Sequence, residues 1–362
     1  MLTALEVLSR DLRYPVSWID ANIKGLLTGN YSGLTAPFCE MQFVGPQGHF
    51  ALAGPYMVLR EARSDEKLSG LVGHTLAPPD LPPLEGHVEK LLGPLRQAIP
   101  RMVPVEVEKS WGHLSGESGE AFVVPSAWDW MKSAELVGPA INNMTEQRRR
   151  WEEAGFECVE RIFDADSAKL LLSPLLDRKQ GIAVQSREYQ LHDCGHAAGL
   201  GLDHKLEEGL LNTPMMQGVE EWRADGVDFE LAAQALSPEE AYEVVASNMV
   251  TRFGLDAHRG GGLDRDYDVT VVALTLDRLL KGRALRLRGG RLSFADPTPR
   301  GLLRAVELHR AEAVQLTRDE LALDYHAGLA RLYGAIAPSP AAEEIFRAHV
   351  VEPCCGLFTQ LR

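Results

Sequence analysis

The sequence predicts an α+β protein, with a mixed α/β part over residues 1–130 and a predominantly helical lobe with a small β-hairpin over residues 131–362. In the first part, short apolar or alternating runs are broken by Gly-Pro pairs, a pattern typical of strands joined by turns. In the second part, charged amphipathic segments indicate helices. A chain of 362 residues can bury a large core in one or two domains.

The first part is predicted to begin with helices and to continue mainly as strands. The pattern predicts helices at 2–13, 17–27 and 85–98, and strands at 38–44, 49–53, 56–60, 103–108 and 121–124. The segment 77–83 is too rich in proline for a helix or a strand, so it predicts a loop. No motif in this part indicates a function.

The second part is predicted to be helical apart from one hairpin. The pattern predicts helices at 145–163, 166–178, 187–202, 216–235, 266–281, 298–312, 317–334 and 340–350. A further helix is expected to begin after Ser237, because a serine followed by proline and two glutamates is a favourable helix start. Residues 284–294 alternate on both sides of Gly289 and Gly290, which predicts a hairpin with a primed turn.

Charge and composition narrow the class of protein. The net charge of −14, without a compensating basic block, argues against nucleic acid or an anionic membrane as a partner. No run of 18 apolar residues predicts a membrane span, and residues 1–15 lack the apolar core of a signal peptide. Five cysteines without a Cys-x-x-Cys pair fit a reducing compartment, so we expect a cytoplasmic protein. No feature fixes an oligomeric state.

A histidine pair suggests a metal site. His192 and His196 are four residues apart, which places both imidazoles on one face of a helix. Zinc usually takes a third protein ligand, which Glu220 or Glu221 of the following helix can supply. Asp225 lies one turn beyond Glu221, where it can accept the second ring N–H of a ligating histidine. Two histidines and one glutamate favour zinc over magnesium or calcium.

The two motifs resemble those of gluzincin metallopeptidases, and in particular the metal-binding lobe of the dipeptidyl-peptidase III family. That family carries His-Glu-x-x-Gly-His, followed by Glu-Glu-x-Arg-Ala and then Glu or Asp. This chain reads HDCGH over residues 192–196, which is one residue shorter, and EEWRAD over residues 220–225. Residues 266–281, the predicted hairpin and residues 324–331 are also similar, so the resemblance covers about 185–335.

The resemblance implies a role for each of these residues. His192, His196 and Glu221 would be the metal ligands, and Asp193 would take the place of the general base. The neighbouring acids Glu220 and Asp225 would support the ligands. The implied activity is that of a metallohydrolase, in which a metal-activated water attacks a peptide or another amide-like small substrate.

Asp193 marks a departure from the family. Aspartate is shorter than glutamate by one carbon, about 1.5 Å, so its carboxylate reaches less far toward a nucleophile. The family also has a histidine on the following helix, where this chain reads DYD at 266–268. We therefore expect weak or no cleavage of the short peptides that dipeptidyl peptidases hydrolyse.

Two other interpretations stay open. Ubiquinone-biosynthesis proteins of the Coq-four type carry His-Asp-x-x-His, eleven residues and then glutamate, a spacing that His192, His196 and Glu208 match. Such a protein would bind or decarboxylate a quinone precursor. In the other interpretation, the metal joins two helices of a binding protein that has no catalytic activity.

Five further residues have simple expected roles. Glu188, one turn before the histidine pair, either supports the site or is a solvated charge. Arg223 is expected to anchor its helix through a salt bridge. His258 lies in a glycine-rich segment and is expected to be exposed, whereas Cys354 and the adjacent Cys355 are expected to be buried.

Overall fold

The chain forms two compact units. The computed structural model describes residues 10–41, 43, 48–54, 56–58, 69–93, 95, 99, 101–112, 123–125, 139–207, 209, 211–259, 263, 265–323 and 326–357. The first unit is drawn from residues 1–79 and 100–147, and the second from residues 80–99 and 148–362. A small sheet accompanies many helices, so the α+β class is confirmed. The division into functional parts at residue 130 stays a prediction.

Helices and strands are numbered here in chain order. The helices are α1 (Val16–Thr28), α2 (Thr35–Cys39), α3 (Glu85–Leu92), α4 (Met144–Arg150), α5 (Phe156–Ile162), α6 (Ala165–Leu172), α7 (Arg178–Ala197), α8 (Leu202–Glu207), α9 (Pro214–Ala235), α10 (Pro238–Gly254), α11 (Tyr267–Lys281), α12 (Pro299–Ala305), α13 (Glu307–Ala322), α14 (His326–Gly334) and α15 (Pro340–Phe346). The strands are β1 (His49–Gly54), β2 (Tyr56–Val58), β3 (Ser69–Thr75), β4 (Arg101–Trp111), β5 (Val123–Pro125), β6 (Pro139–Asn143), β7 (Leu285–Arg288) and β8 (Arg291–Phe294). Among the described helices, none combines the length and the apolar character that a membrane span requires.

A four-stranded sheet with the order β1-β3-β4-β6 is the centre of the first unit. Strand β3 pairs antiparallel with β1 and β4, and β6 pairs parallel with β4. Strands β2 and β5 form a separate antiparallel ribbon. Trp18 of α1 and Phe38 of α2 belong to one apolar cluster with Phe50 and Leu52 of β1. This unit therefore has a hydrophobic core of its own.

The strand predicted at 38–44 begins as a helix instead. Phe38 lies in α2, and its side chain is fully buried. Pro37 is in the first turn of this helix, where its missing N–H removes no helical hydrogen bond. The apolar residue therefore packs from a helix, and tertiary contacts rather than the alternating pattern decide the element. Residues 42 and 44–47 lie outside the described residues.

Helix α9 is the centre of the second unit and packs against α7, α10, α11 and α13. It begins at Pro214, and the side chain of Thr213 accepts a hydrogen bond from the backbone N–H of Met216. Its apolar side chains Trp222 and Phe229 are buried. Acidic side chains of the same helix are also buried, so they need partners within the protein.

The helices beside α9 have clear starts. Asp177 accepts a hydrogen bond from the backbone N–H of Gln180 at the start of α7. Ser237 and Glu240 form a capping box at the start of α10, which confirms the helix start predicted there. Gly195 lets α7 approach α9 closely, because a Cβ at this position would lie 2.5 Å from the backbone oxygen of Ala224.

The hairpin predicted at 284–294 is confirmed. Strands β7 and β8 pair antiparallel with Leu285 opposite Phe294, and both side chains are buried. Gly289 and Gly290 connect the strands with φ angles of 59° and 81°. Two successive residues with positive φ are the requirement of a type I′ turn, which explains the pair of glycines.

Candidate metal centre

Helices α7 and α9 bring His192, His196 and Glu221 together. One ligand atom of each residue lies within 4.8 Å of those of the other two. Nε2 of His192 is 3.2 Å from Oε2 of Glu221, and Nε2 of His196 is 3.6 Å from Oε1. The three side chains are 13%, 11% and 16% exposed, so the group is largely shielded from solvent but still accessible. These are the residues that the sequence motifs single out as ligands.

A second carboxylate fixes the orientation of each imidazole. Nδ1 of His192 lies 2.9 Å from Oδ1 of Asp225, and Nδ1 of His196 lies 3.1 Å from Oε1 of Glu220. An ionised carboxylate oxygen only accepts hydrogen bonds, so each Nδ1 is expected to carry the hydrogen and to donate it. Each Nε2 then carries the lone pair and faces Glu221. Glu220 and Asp225 therefore contact the Nδ1 side of the rings, which we call the back of the centre, and Glu221 faces the Nε2 side.

This geometry is suited to a cation. Two nitrogen lone pairs that face one carboxylate repel it unless a proton or a metal ion lies between them. Burial opposes charge on the rings, but Asp225 and Glu221 raise the pKa of His192 well above its usual value. The pKa of His196 is also raised, since Glu221 and Glu220 outweigh burial. Burial would raise the pKa of Glu221, but the imidazoles of His196 and His192 hold it well below its usual value. Zinc, which binds imidazole nitrogen and carboxylate oxygen, fits this donor set.

Asp193 is buried beside this group. Only 5% of the residue is exposed, and its Oδ2 has no hydrogen-bond partner among the described residues. Burial raises the pKa of Asp193 to about 7, although the charges of His192 and His196 lower it. A buried carboxyl without a partner is costly unless it has a function or is protonated. Burial therefore favours the protonated form of Asp193, and the two histidine rings oppose this effect.

Arg252 of α10 supports the acids on one side of the centre. Its Nε and Nη2 donate to the two oxygens of Asp225 at 2.8 and 2.9 Å, and its Nη1 donates to Asp256 at 2.9 Å. Nη2 also lies 3.4 Å from Oε2 of Glu221. Burial alone would raise the pKa of Asp225, but Arg252 and His192 hold it below its usual value. Arg252 therefore keeps the carboxylate behind His192 ionised.

A buried group of two cations and two carboxylates supports the other side. Lys205 Nζ donates to Glu220 at 2.6 Å and lies 2.9 Å from Oε2 of Glu320. Arg223 donates to Glu220 at 2.6 Å and lies 3.2 Å from Oε1 of Glu320. The hydroxyl of Tyr333 lies 2.6 Å from both carboxylates and can donate to one of them. Arg223 thus forms the expected salt bridge, and it also donates to Thr317 Oγ1 and to the backbone oxygen of Gly195, both at 3.0 Å.

Sequence reasoning does not identify Lys205, Glu320 and Tyr333. They lie on α8, α13 and α14, and no spacing along the chain relates them to Glu220. Their side chains are fully buried or nearly so, which is unusual for lysine and glutamate unless they are paired. The pairing that explains their burial exists only in the folded chain.

Two more acids lie behind the centre. Glu188 is 2% exposed, so the interpretation of a solvated charge is wrong, and Asn248 donates to it at 3.2 Å. Burial raises the pKa of Glu188 to about 7. Asp228 is fully buried, and burial together with Glu188 raises its pKa well above its usual value. The sequence could have indicated Asp228, because it lies one turn beyond Asp225.

The remaining residues that the sequence singles out lie away from the centre or outside the described residues. His258, expected to be exposed, lies in a 3-10 helix at Asp256–His258 and is partly buried, with Nε2 3.0 Å from the backbone oxygen of Phe253. Cys354 is buried as expected, but Cys355 is exposed. Glu208, the third ligand of the quinone-type interpretation, lies outside the described residues.

Two of three comparisons with known proteins find a match. A protein-family model with the description "Family of unknown function (DUF6014)" matches residues 9–258. No curated protein matches the sequence. The fold is similar to the solved structure of DPP III from Caldithrix abyssi, with a TM-score of 0.65 and 14% sequence identity. That likeness covers 98% of this chain and 68% of the other, and at this identity it shows a shared fold.

Proposed function

Since the chain belongs to DUF6014, a family of unknown function, we propose its activity from its own residues: a divergent zinc-dependent hydrolase that cleaves an amide bond in a peptide or a similar small substrate. The observation that carries the proposal is the convergence of two Nε2 atoms and one carboxylate within 4.8 Å. The fold shared with DPP III supports a substrate of the peptide type.

His192, His196 and Glu221 would hold the zinc ion. They offer two nitrogen donors and one oxygen donor, the set found in many catalytic zinc sites that keep one position for water or substrate. When bound, the ion supplies Lewis acidity, which polarises a carbonyl group and makes water more acidic. The carboxylates of Asp225 and Glu220 keep each imidazole in the tautomer that presents Nε2.

Asp193 would move the proton during hydrolysis. Its Oδ2 has no partner among the described residues, so it is free to accept a proton from an attacking water. The same oxygen can then give that proton to the leaving amine. Burial raises the pKa of Asp193, which makes its carboxylate a stronger base toward that water. The shorter reach of aspartate favours a slow reaction on ordinary dipeptidyl-peptidase substrates.

The first experiment tests the ligand set. Protein purified without a histidine tag should contain zinc, and Glu221→Ala should lower the content by one ion per chain. Glu230→Ala is the matched control, because Glu230 lies on the same helix but pairs with Arg310 at 2.6 Å. If Glu208→Ala removed the ion and Glu221→Ala did not, the quinone-type site would replace the one proposed here.

The second experiment tests the reaction. Zinc-loaded protein is incubated with a library of short peptides and acylated amines, and new amino groups are measured against Glu221→Ala protein. Turnover that disappears in the variant supports a hydrolase. If the fully zinc-loaded protein cleaves none of these amides, the hydrolase proposal fails. The metal would then only join α7 and α9, as in the interpretation of a binding protein without catalytic activity.

A further inference from the structure

Three residues from distant parts of the sequence form a second cluster of metal-binding side chains. They are Cys158 of α5, His258 of the 3-10 helix after α10, and Cys354 of the 3-10 helix Glu352–Cys354. One ligand atom of each lies within 4.8 Å of those of the other two. All three belong to the second unit, and none takes part in the centre formed by α7 and α9.

The two cysteines are buried in the core of the helical unit. Cys158 is 0% and Cys354 is 1% exposed, and both belong to the same apolar cluster. Both are free thiols, although they lie close together. Thiolates in such an apolar place need a positive partner, because an uncompensated buried charge is very costly. A divalent cation would balance two thiolates.

The histidine has the orientation expected of a metal ligand. Nε2 of His258 lies 3.0 Å from the backbone oxygen of Phe253, and a carbonyl oxygen only accepts, so this nitrogen carries the hydrogen. Nδ1 then carries the lone pair, which is the donor that a metal requires. A ligating histidine commonly donates its other N–H to a backbone carbonyl, and this bond fixes the ring.

We propose that Cys158, His258 and Cys354 bind a second metal ion, a soft divalent cation such as zinc. Two sulfur donors and one imidazole are a common zinc donor set and are poor ligands for calcium or magnesium. Within the described part of the chain, no fourth His, Cys, Asp or Glu joins this cluster. These three side chains would therefore supply three of the four donors of a tetrahedral ion.

The position of this site indicates a structural role. The metal would join the C-terminal helical turns to α5, where Arg161 Nη1 also donates to the backbone oxygen of Pro353 at 3.1 Å. It would also fix the 3-10 helix that contains Asp256, the residue to which Arg252 donates at 2.9 Å. Arg252 holds Asp225 in turn, so the second ion would stabilise one support of the first centre.

Cobalt substitution tests this site directly. Full-length protein is stripped of metal with a chelator and reloaded with Co(II), and its near-ultraviolet absorption is recorded. A thiolate-to-cobalt charge-transfer band is expected, because cysteine ligates only at the second site. The band should disappear in Cys158→Ser and in Cys354→Ser, and the zinc content should fall by one ion per chain.

Three further variants separate the two sites and control for folding. Cys355→Ser is the matched control, since Cys355 is adjacent to Cys354 but exposed and outside the cluster, and it should keep the band. His192→Ala should also keep the band while losing the first ion. His258→Gln changes a partly buried side chain, so it tests the site even if the serine variants misfold. It should reduce the intensity of the band.

Two results would overturn the proposal. One is a folded, cobalt-loaded chain without the charge-transfer band. The other is a Cys158–Cys354 disulfide that persists in protein prepared under a thiol reductant, detected as a mass lower by a pair of hydrogen atoms. Neither result would bear on His192, His196 and Glu221, whose zinc content is measured separately in the cysteine variants.

Discussion

Oδ1 of Asp225 lies 2.9 Å from Nδ1 of His192, while both oxygens of the same carboxylate accept hydrogen bonds from Arg252. Asp225 is fully buried, and burial alone would raise its pKa, but Arg252 and His192 hold this pKa below its usual value. The carboxylate is thereby held ionised behind the ring, and the ring presents Nε2 toward Glu221. This relationship makes the orientation of His192 depend on a residue that does not itself reach the proposed metal.

Asp225→Asn should weaken zinc binding without removing it. The variant keeps the shape of the side chain but loses the charge that orients His192, a change that usually costs about 10- to 100-fold in affinity. Affinity is measured by competition with a chromophoric chelator. Asp256→Asn is the control, because Asp256 also accepts from Arg252. An equal loss of zinc affinity in Asp225→Asn and Asp256→Asn would show that Asp225 acts only by holding Arg252.

Asp193 variants should separate proton transfer from metal binding. Asp193→Asn keeps the shape and removes the base, so we expect zinc content to be unchanged and amide turnover to fall by about 100-fold or more. Asp193→Glu lengthens the side chain by about 1.5 Å and should raise activity on short peptides. Both are measured as kcat on zinc-loaded protein. Full turnover by Asp193→Asn would exclude this residue as the base.

Lys205→Met should strongly destabilise the helical unit. Among the described residues, the substitution leaves Arg223 as the one lysine or arginine paired with Glu220 and Glu320. Removing one partner of a buried pair costs about 3–5 kcal/mol. The free energy of unfolding is measured by urea denaturation. The double variant Lys205→Met/Glu320→Gln removes one charge of each sign and should recover part of the loss. The single variant Glu320→Gln is measured as well. If the losses of unfolding free energy in the two single variants simply add in the double variant, Lys205 and Glu320 do not act as a pair.

Gly195→Ala should separate α7 from α9. The added Cβ would lie 2.5 Å from the backbone oxygen of Ala224, and a backbone atom cannot move aside without shifting its helix. We expect a loss of about 1–3 kcal/mol of stability together with weaker zinc binding. Gly86→Ala in α3 is the control, because a Cβ there meets no atom within 4 Å. It should be neutral or slightly stabilising.

His309 should make stability depend on pH. Its Nε2 donates to the backbone oxygen of Trp222 at 2.6 Å, the two rings stack at 4.5 Å, and Nδ1 has no partner in the described part of the chain. Burial lowers the pKa of His309 to about 4. Between about pH 6.5 and 4, the unfolded chain binds this proton and the folded chain does not, so stability falls as pH falls.

The variant His309→Phe measures this contribution. Unfolding free energies of both proteins are compared from pH 7 to pH 4. The unchanged protein should lose on the order of 3 kcal/mol more than the variant, since each pKa unit corresponds to about 1.4 kcal/mol. His204→Phe, at an exposed histidine of α8, is the control and should keep the original pH dependence. Parallel curves for His309→Phe and the unchanged protein would contradict the prediction.

The sequence by itself determines the local features of this protein. His192 and His196 are four residues apart, and the helical period places such residues on one face, so the sequence alone predicts this face of α7. The capping box at Ser237 and the glycine pair at 289–290 are equally local, because each depends on neighbouring residues alone. The alternation at 38–44 misleads, since Phe38 is buried from a helix and tertiary contacts override a short pattern.

Only the tertiary structure decides which distant side chains meet. No spacing along the chain predicts that Glu188 is buried. The same is true of the partners of Glu220 on α8, α13 and α14 and of the cluster formed by Cys158, His258 and Cys354. A periodic pattern fixes the face of a helix that is buried, but not the helix that packs against it. That choice depends on the summed packing of whole elements, and with it the pairing of each buried charge.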